Sequence, residues 1–342
     1  FQKSMPTAFW VFLTATHLLT GNALAADQQP VKIGGSSTVY PILKEAIRSF
    51  QAVERNSMIS IKLSESGTSA GLREFCKGKL SIANASRPIN SKELKACADA
   101  GITFIELPIA FDALTVVVNP KNTWAQQIST TELEKLWEKK AQGRIVRWKQ
   151  VNNSWPDRAI NLCGPGKDSG TYDYFNKAIN GDEDNSRSDY TASEDDQLIV
   201  QCVAKNPNAL GYFGYSYFKE NAAQLRALSI NSGKGAIAPS LATVQKSTYF
   251  PLSRPLFIYV NDRDSIERSE VRAFLTHTVS NGLDIVERAG SIPLSESTYR
   301  LVESKLYKHV LGTSFGGDLP VGLSIGEALR RSFDAVKRPA YR

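Results

Sequence analysis

Three stretches of the chain share one pattern of apolar and polar positions. Each begins with a short apolar or alternating run, passes through a turn of Gly, Ser and Thr, and continues with apolar residues at helical spacing. The first is residues 31–35, then Ser36, Ser37 and Thr38, then Ile42, Leu43, Ala46, Ile47 and Phe50. The second is 59–63, then Ser66-Gly67-Thr68-Ser69-Ala70-Gly71, then Leu72, Phe75 and Cys76. The third is 159–163, then Gly164-Pro165-Gly166-Lys167-Asp168-Ser169-Gly170-Thr171, then Tyr172, Phe175 and Ile179. Alternation or short apolar runs predict strands, and i, i+3, i+4 spacing predicts helices. Strand, turn and helix in that order is the start of a βα unit, so the pattern predicts an α/β fold.

Two longer apolar, Pro-bounded runs, 105–118 and 250–261, have the character of extended segments, and both lead into an Asn, Asn119 and Asn261. Between them lies a unit with its own helices, opened by the capping box Ser129-x-x-Glu132 ahead of Leu133, Leu136 and Trp137. The simplest architecture is two α/β lobes joined by two crossing hinge strands. Lobe 1 is discontinuous, 26–113 and 258–342, and lobe 2 is 114–257. The first two turns fall in lobe 1 and the third in lobe 2, with a cleft between them.

The chemistry of such turns is anion binding. A helix start exposes free N–H groups and the positive end of the dipole. Ser and Thr add hydroxyl donors, and Gly lets the backbone approach closely. A single copy is better explained by helix capping; three copies together can surround a small anion with uncharged donors. Residues 80–88 read as another strand, ending at Arg87 before Pro88, which forces its neighbour extended. A guanidinium there can grip a tetrahedral oxyanion; the plainer reading of Arg87 is an ion pair with Glu93.

Composition narrows the class. The chain has 342 residues, 42% hydrophobic and 22% charged, the values of a folded protein. With 41 Lys+Arg against 34 Asp+Glu the net charge is +7, enough to help gather anions. Lys3, the apolar run from Ala8 to Leu19 and Ala23-Leu24-Ala25 predict a secretory signal, residues 1–25, cut after Ala25. In an oxidising compartment four cysteines imply disulfides. Three connectivities exist; Cys76–Cys97 and Cys163–Cys202 keep each bridge within one lobe.

Rival chemistries are weaker. Gly67-Thr68-Ser69-Ala70-Gly71 matches G-x-S-x-G, the elbow of a serine hydrolase. Its base would have to be His277 or His309, and both sit in stretches that read as helix. Gly166-Lys167 is followed by Asp168, which fails the P-loop pattern. Lys139, Lys140, Arg144, Arg147 and Lys149 beside Trp137 and Trp148 suggest nucleic acid, but a solvated helix end explains them better. No C-x-x-C occurs to support a Zn site, and no cofactor is called for.

At this point an ordered set of motifs carries a resemblance. Gly34-Gly35-Ser36-Ser37-Thr38-Val39-Tyr40-Pro41, Ser66–Gly71, Ala85-Ser86-Arg87-Pro88-Ile89, residues 105–112, Gly164–Thr171, Ala192-Ser193-Glu194-Asp195-Asp196, residues 209–215 and Pro251-Leu252-Ser253-Arg254-Pro255-Leu256 together resemble the PstS/SphX phosphate-binding proteins of ABC phosphate importers. The resemblance implies a type II periplasmic-binding-protein fold whose lobes close on one inorganic phosphate. It implies an inner-membrane ABC permease as partner and a periplasmic location, with peripheral association at that membrane; no nucleic acid is expected, and the chain is expected to be a monomer. The phosphate set it implies is Thr38, Val39, Thr68, Ser69, Ser169, Gly170 and Thr171; the reading of the turns adds Ser37, and the reading of the strand end at Pro88 adds Arg87 for charge. The best-known members carry Asp where this chain has Arg87, and Arg where it has Pro165. A carboxylate is still wanted, because it accepts a hydrogen bond from protonated phosphate and repels sulfate. Asp112, Asp168 and Glu194 are the candidates, and Asp112 is favoured because a carboxylate inside an apolar strand needs a reason to be there. The remaining alternatives are a receptor for sulfate, arsenate or a phosphate ester, and the serine hydrolase.

Overall fold

The computed structural model describes residues 29–323 together with 327, 330 and 331. The expected signal segment, residues 1–25, lies outside the described residues. In chain order the strands are β1 Val31–Gly35, β2 Ile61–Glu65, β3 Ile82–Ala85, β4 Phe104–Ala113, β5 Thr115–Val118, β6 Gln127–Ser129 and β7 Asn161–Pro165. They continue as β8 Thr191–Ser193, β9 Ala209–Phe213, β10 Arg226–Ala227, β11 Ser229–Asn231, β12 Ala236–Ile237, β13 Ser253–Asn261 and β14 Ile292–Pro293.

Two main sheets result. A six-stranded sheet runs β14-β4-β13-β3-β1-β2, and a five-stranded sheet runs β10-β5-β9-β7-β8. β1 pairs in parallel with β2 and β3, and β7 in parallel with β8 and β9. Parallel neighbours need crossovers, and helices supply them. Tyr40–Gln51 buries Ile42, Leu43, Ala46 and Phe50, Thr68–Cys76 buries Leu72, Phe75 and Cys76, and Gly170–Asn180 buries Tyr172, Phe175 and Ile179. These are the apolar positions whose spacing predicted helices. β6, β11 and β12 form a small third sheet.

The chain leaves the six-stranded sheet at Ala113 and enters the five-stranded one at Thr115. The run 105–118 is therefore two strands rather than one, broken at Leu114, whose N–H bonds to Leu252 O instead. The return strand, β13, pairs antiparallel with β4 along its length, from Ser253↔Ala113 to Asn261↔Phe104. It thus joins the six-stranded sheet at Ser253, ahead of the boundary expected at residue 258. This register sets Arg254 directly opposite Asp112.

The cores are apolar and aromatic. Trp137 lies edge-on to Phe175, Tyr190 and Tyr212, and Phe175 stacks on Tyr212 at 3.9 Å. Trp137 and Trp148 are fully buried while Lys139, Lys140, Arg144, Arg147 and Lys149 are exposed, so those aromatics serve the core. Cys76 bonds Cys97 and Cys163 bonds Cys202, the sequential pairing. Among the described residues no helix is long and apolar enough to cross a membrane.

Candidate functional site

The three hydroxyl turns leave the carboxyl ends of β1, β2 and β7, where a parallel sheet presents ligand sites. They meet. Thr38 Oγ1 lies 3.1 Å from Thr171 Oγ1, although the two belong to different sheets. Ser69 N–H donates to Asp168 O at 2.9 Å, joining the second turn to the third. Thr68 Oγ1 accepts from Ser86 N–H at 3.1 Å. Ser37, Thr38, Thr68, Ser86, Ser169 and Thr171 are all buried.

Two glycines make this approach feasible. Gly67 has φ +86°, and a Cβ there would stand 2.4 Å from Asp168 O. At Gly170 a Cβ would stand 2.6 Å from Thr68 Oγ1 and 2.7 Å from Ser86 Oγ. The helices after the first two turns have Val39 and Gly67 at their N-caps and no side-chain cap. Their starting N–H groups are therefore not served by a capping side chain. The third turn differs: Ser169 caps its own helix by accepting from Thr171 N–H.

Two buried guanidinium groups flank the turns. Arg87, 1% exposed, has all five donors engaged: Nε to Asp173, Nη1 to Pro88 O and Glu93, Nη2 to Glu93 and Ser69 Oγ. Its pair with Glu93 exists, but it is buried, and Asp173 at 2.6 Å comes from the other sheet's side. Burial works against the Arg87 charge, and the Glu93 and Asp173 carboxylates more than offset it, so its pKa lies above the arginine norm. Arg87 thus meets the turns through Ser69, at 2.8 Å.

Arg254 is the cation that the sequence argument passed over. Its Nη2 donates to Thr171 Oγ1 at 2.8 Å and to Thr38 Oγ1 at 3.3 Å, and Nη1 donates to Gly170 O at 3.2 Å. Nε and Nη2 hold Asp112 Oδ2, and Asp112 Oδ1 accepts from Tyr215 N–H. The signal was available: a charge inside an apolar, Pro-bounded strand, the logic already applied to Asp112.

The other carboxylates sort by contact. Asp168 forms a half-exposed bridge to Arg73 at 2.7 Å. Glu194 Oε1 accepts from Asp168 N–H, and burial lifts its carboxyl to about 7. Glu194 follows β8, and its neighbour Asp195 caps the next helix. Asp196 opens that helix, fully buried, with Ser37 Oγ donating to it at 3.1 Å. Val39, also expected at the site, is buried in the apolar core.

The hydrolase elements do not assemble. Ser69 Oγ bonds to Arg87, His277 Nε2 to Ser49 Oγ, and His309 Nδ1 to Asp262. His277 is helical as expected. His309 is not; it follows the helix Glu296–Tyr307 at φ +48°.

Buried hydroxyls, helix starts and a guanidinium gathered between two α/β sheets define a binding protein for a small oxyanion. The chain belongs to the family described as the PBP superfamily domain, whose profile matches residues 20–281. It is 44% identical over 303 residues to Protein SphX of Synechocystis sp., covering 89% of this chain and 90% of that protein. It is 34% identical to the phosphate-binding protein PstS of Staphylococcus haemolyticus, covering 78% and 81%. A solved possible phosphate binding protein from Planctomyces limnophilus superposes with TM-score 0.60 at 38% identity, covering 82% of this chain and 98% of that one. An ABC-type phosphate transport receptor from Vibrio cholerae shares the fold at 21% identity, TM-score 0.58, over 77% and 100%. The fold is that of the type II periplasmic binding proteins.

Proposed function

We propose that the chain is an extracytoplasmic receptor that captures inorganic phosphate between its two halves and delivers it to an ABC-type membrane permease. The observation that carries this is the convergence of Thr38 and Thr171, from turns of both sheets, on Arg254, with Ser69 and Thr68 set against the third turn at Asp168 and Gly170. Hydroxyls and the helix-start N–H groups at Thr38 and Val39 would donate to phosphate oxygens, and Arg254 would supply the positive charge. Arg87 acts through Ser69, which it holds, and through Asp173, which it draws across from the other half. The two crossings between the sheets, at Leu114 after β4 and at Leu252 before β13, would serve as the hinge on which the halves part to admit the ion. Asp112, anchored by Arg254 and Tyr215 N–H, is the carboxylate proposed to read the phosphate proton. Three of its roughly four lone-pair sites are used.

The relatives' names, the family and the signal-like first 25 residues support export to the periplasm, with contact to the inner membrane through the permease. The protein would act as a monomer without a cofactor. A non-enzymatic role is supported by the partners of Ser69, His277 and His309: among the described residues, Ser69 bonds Arg87 and neither histidine bonds the serine.

The test is calorimetric titration with phosphate, arsenate, sulfate and a phosphate monoester, with hydrolysis of the ester followed in parallel. Phosphate is expected to bind tightest and the ester to remain intact. Tighter sulfate binding would make this a receptor for a different oxyanion, and turnover would restore the hydrolase.

A further inference from the structure

Asp196 is placed unlike the other acids of the site. It is the first residue of the helix Asp196–Lys205, after the capping Asp195, and its side chain is 0% exposed. Its Oδ1 accepts from Ser37 Oγ, which belongs to the other sheet's first hydroxyl turn. Its Oδ2 has no partner among the described residues. Three further acids and one cation surround it: Glu65 at the end of β2, Tyr217 in the helix Tyr215–Glu220, Asp112 in β4 and Arg254 in β13. Arg254 is already engaged by Asp112. An ionised Asp196 would thus be a buried charge with one oxygen unserved, facing other carboxylates, which is strongly unfavourable.

We propose that Asp196 is a positioning residue of the oxyanion site that works in its protonated form: as the two halves close over the ion it takes up a proton and holds Ser37, and with it the first turn, against the second half. This rests on the receptor reading above. In the closed arrangement burial, then Glu65 and Asp112, lift the carboxyl from 3.8 to about 8, against the opposing pull of the Ser37 bond and Arg254. A bound oxyanion adds negative charge and acts in the same direction. Glu65 and Tyr217 also line a groove of about 870 Å³ that borders Asp195, so solvent reaches the acids beside Asp196.

The direction of the linkage follows. With the halves parted the carboxyl is wet and titrates near its ordinary value; closed, it titrates near 8. The closed-state value is the raised one, so the contribution to closure is complete at acid pH and is lost as pH climbs toward 8. Across that window closure weakens by about tenfold per pH unit and binding takes up about one proton.

The experiment is titration calorimetry of phosphate into the full chain and its Asp196→Asn variant, in buffers of low and high ionisation enthalpy, from pH 5.5 to 8.5. Phosphate's own ionisation is common to both proteins and cancels in the difference. The wild type is expected to take up about one proton more per phosphate near pH 7, and the affinity ratio of variant to wild type to rise by about tenfold per pH unit up to 8. Equal proton counts, or an affinity loss in the variant with parallel pH profiles, overturn the proposal and leave Asp196 a packing residue. If the wild type does not bind phosphate, the receptor reading falls on its own. The proposal is then decided by the ¹³Cγ resonance of Asp196, assigned by its loss in Asp196→Asn, followed with pH in the ligand-free chain and in the chain saturated with whichever oxyanion of the panel above it binds. A midpoint that rises from near 4 without the ion to near 8 with it supports the proposal, and an unchanged midpoint overturns it.

Discussion

At the scale of single residues, the two buried arginines are the informative pair, because similar chemistry has been put to different use. Arg87 is saturated by protein acceptors, whereas Arg254 touches hydroxyls from both halves and holds Asp112. Arg254→Lys keeps the charge but loses the planar fork, which contacts Thr171, Thr38 and Asp112 together. A charged hydrogen bond is worth about 1.5–3 kcal/mol, so phosphate affinity should fall by about 10- to 100-fold. Arg73→Ala removes only a half-exposed bridge to Asp168 and should change affinity less than about fivefold. Calorimetry giving both variants the same small effect would take Arg254 out of the site. Asp112→Asn should lower the preference for phosphate over sulfate; an unchanged ratio in competition titrations would assign proton reading to another carboxylate.

Among the elements, the turns depend on small residues at the contact between halves. A methyl group at Gly170 would meet Thr68 Oγ1 and Ser86 Oγ inside van der Waals distance. Gly170→Ala should therefore bar full closure while leaving each sheet intact. Phosphate affinity is expected to drop at least tenfold with the ligand-free melting temperature nearly unchanged, as differential scanning fluorimetry with and without phosphate would record. An equal loss in both would mean that the glycine serves folding rather than closure. The three strand–turn–helix units were legible in the sequence because each is local: apolar spacing, a glycine and hydroxyl residues within some twenty positions of chain. The break at Leu114 was not legible, because nothing in a run of β-branched residues marks where one sheet hands the strand to another. His309 was misread for a related reason: the apolar periodicity around it continues past the last helical turn.

For the whole molecule, contacts between the halves set the behaviour. Thr38–Thr171, Ser37–Asp196, Arg87–Asp173 and Arg73–Asp168 all join residues of one sheet's side to the other's. Small-angle scattering should show the radius of gyration contracting when phosphate is added, with no such change for Gly170→Ala. A wild-type radius that ignores phosphate would mean that the ion enters without hinge motion. The local grammar of this chain, read along it, yields the α/β class, three hydroxyl-bearing strand–helix turns and the pairing of cysteines within each half. Long-range pairing lies outside that grammar. Arg254 meets Asp112 because β13 lies antiparallel against β4, and Asp196 loses its water because Ser37 is brought against it from across the molecule. Spacing along a chain encodes backbone periodicity, whereas the neighbours of a buried charge depend on which strands pair and how closely two halves meet.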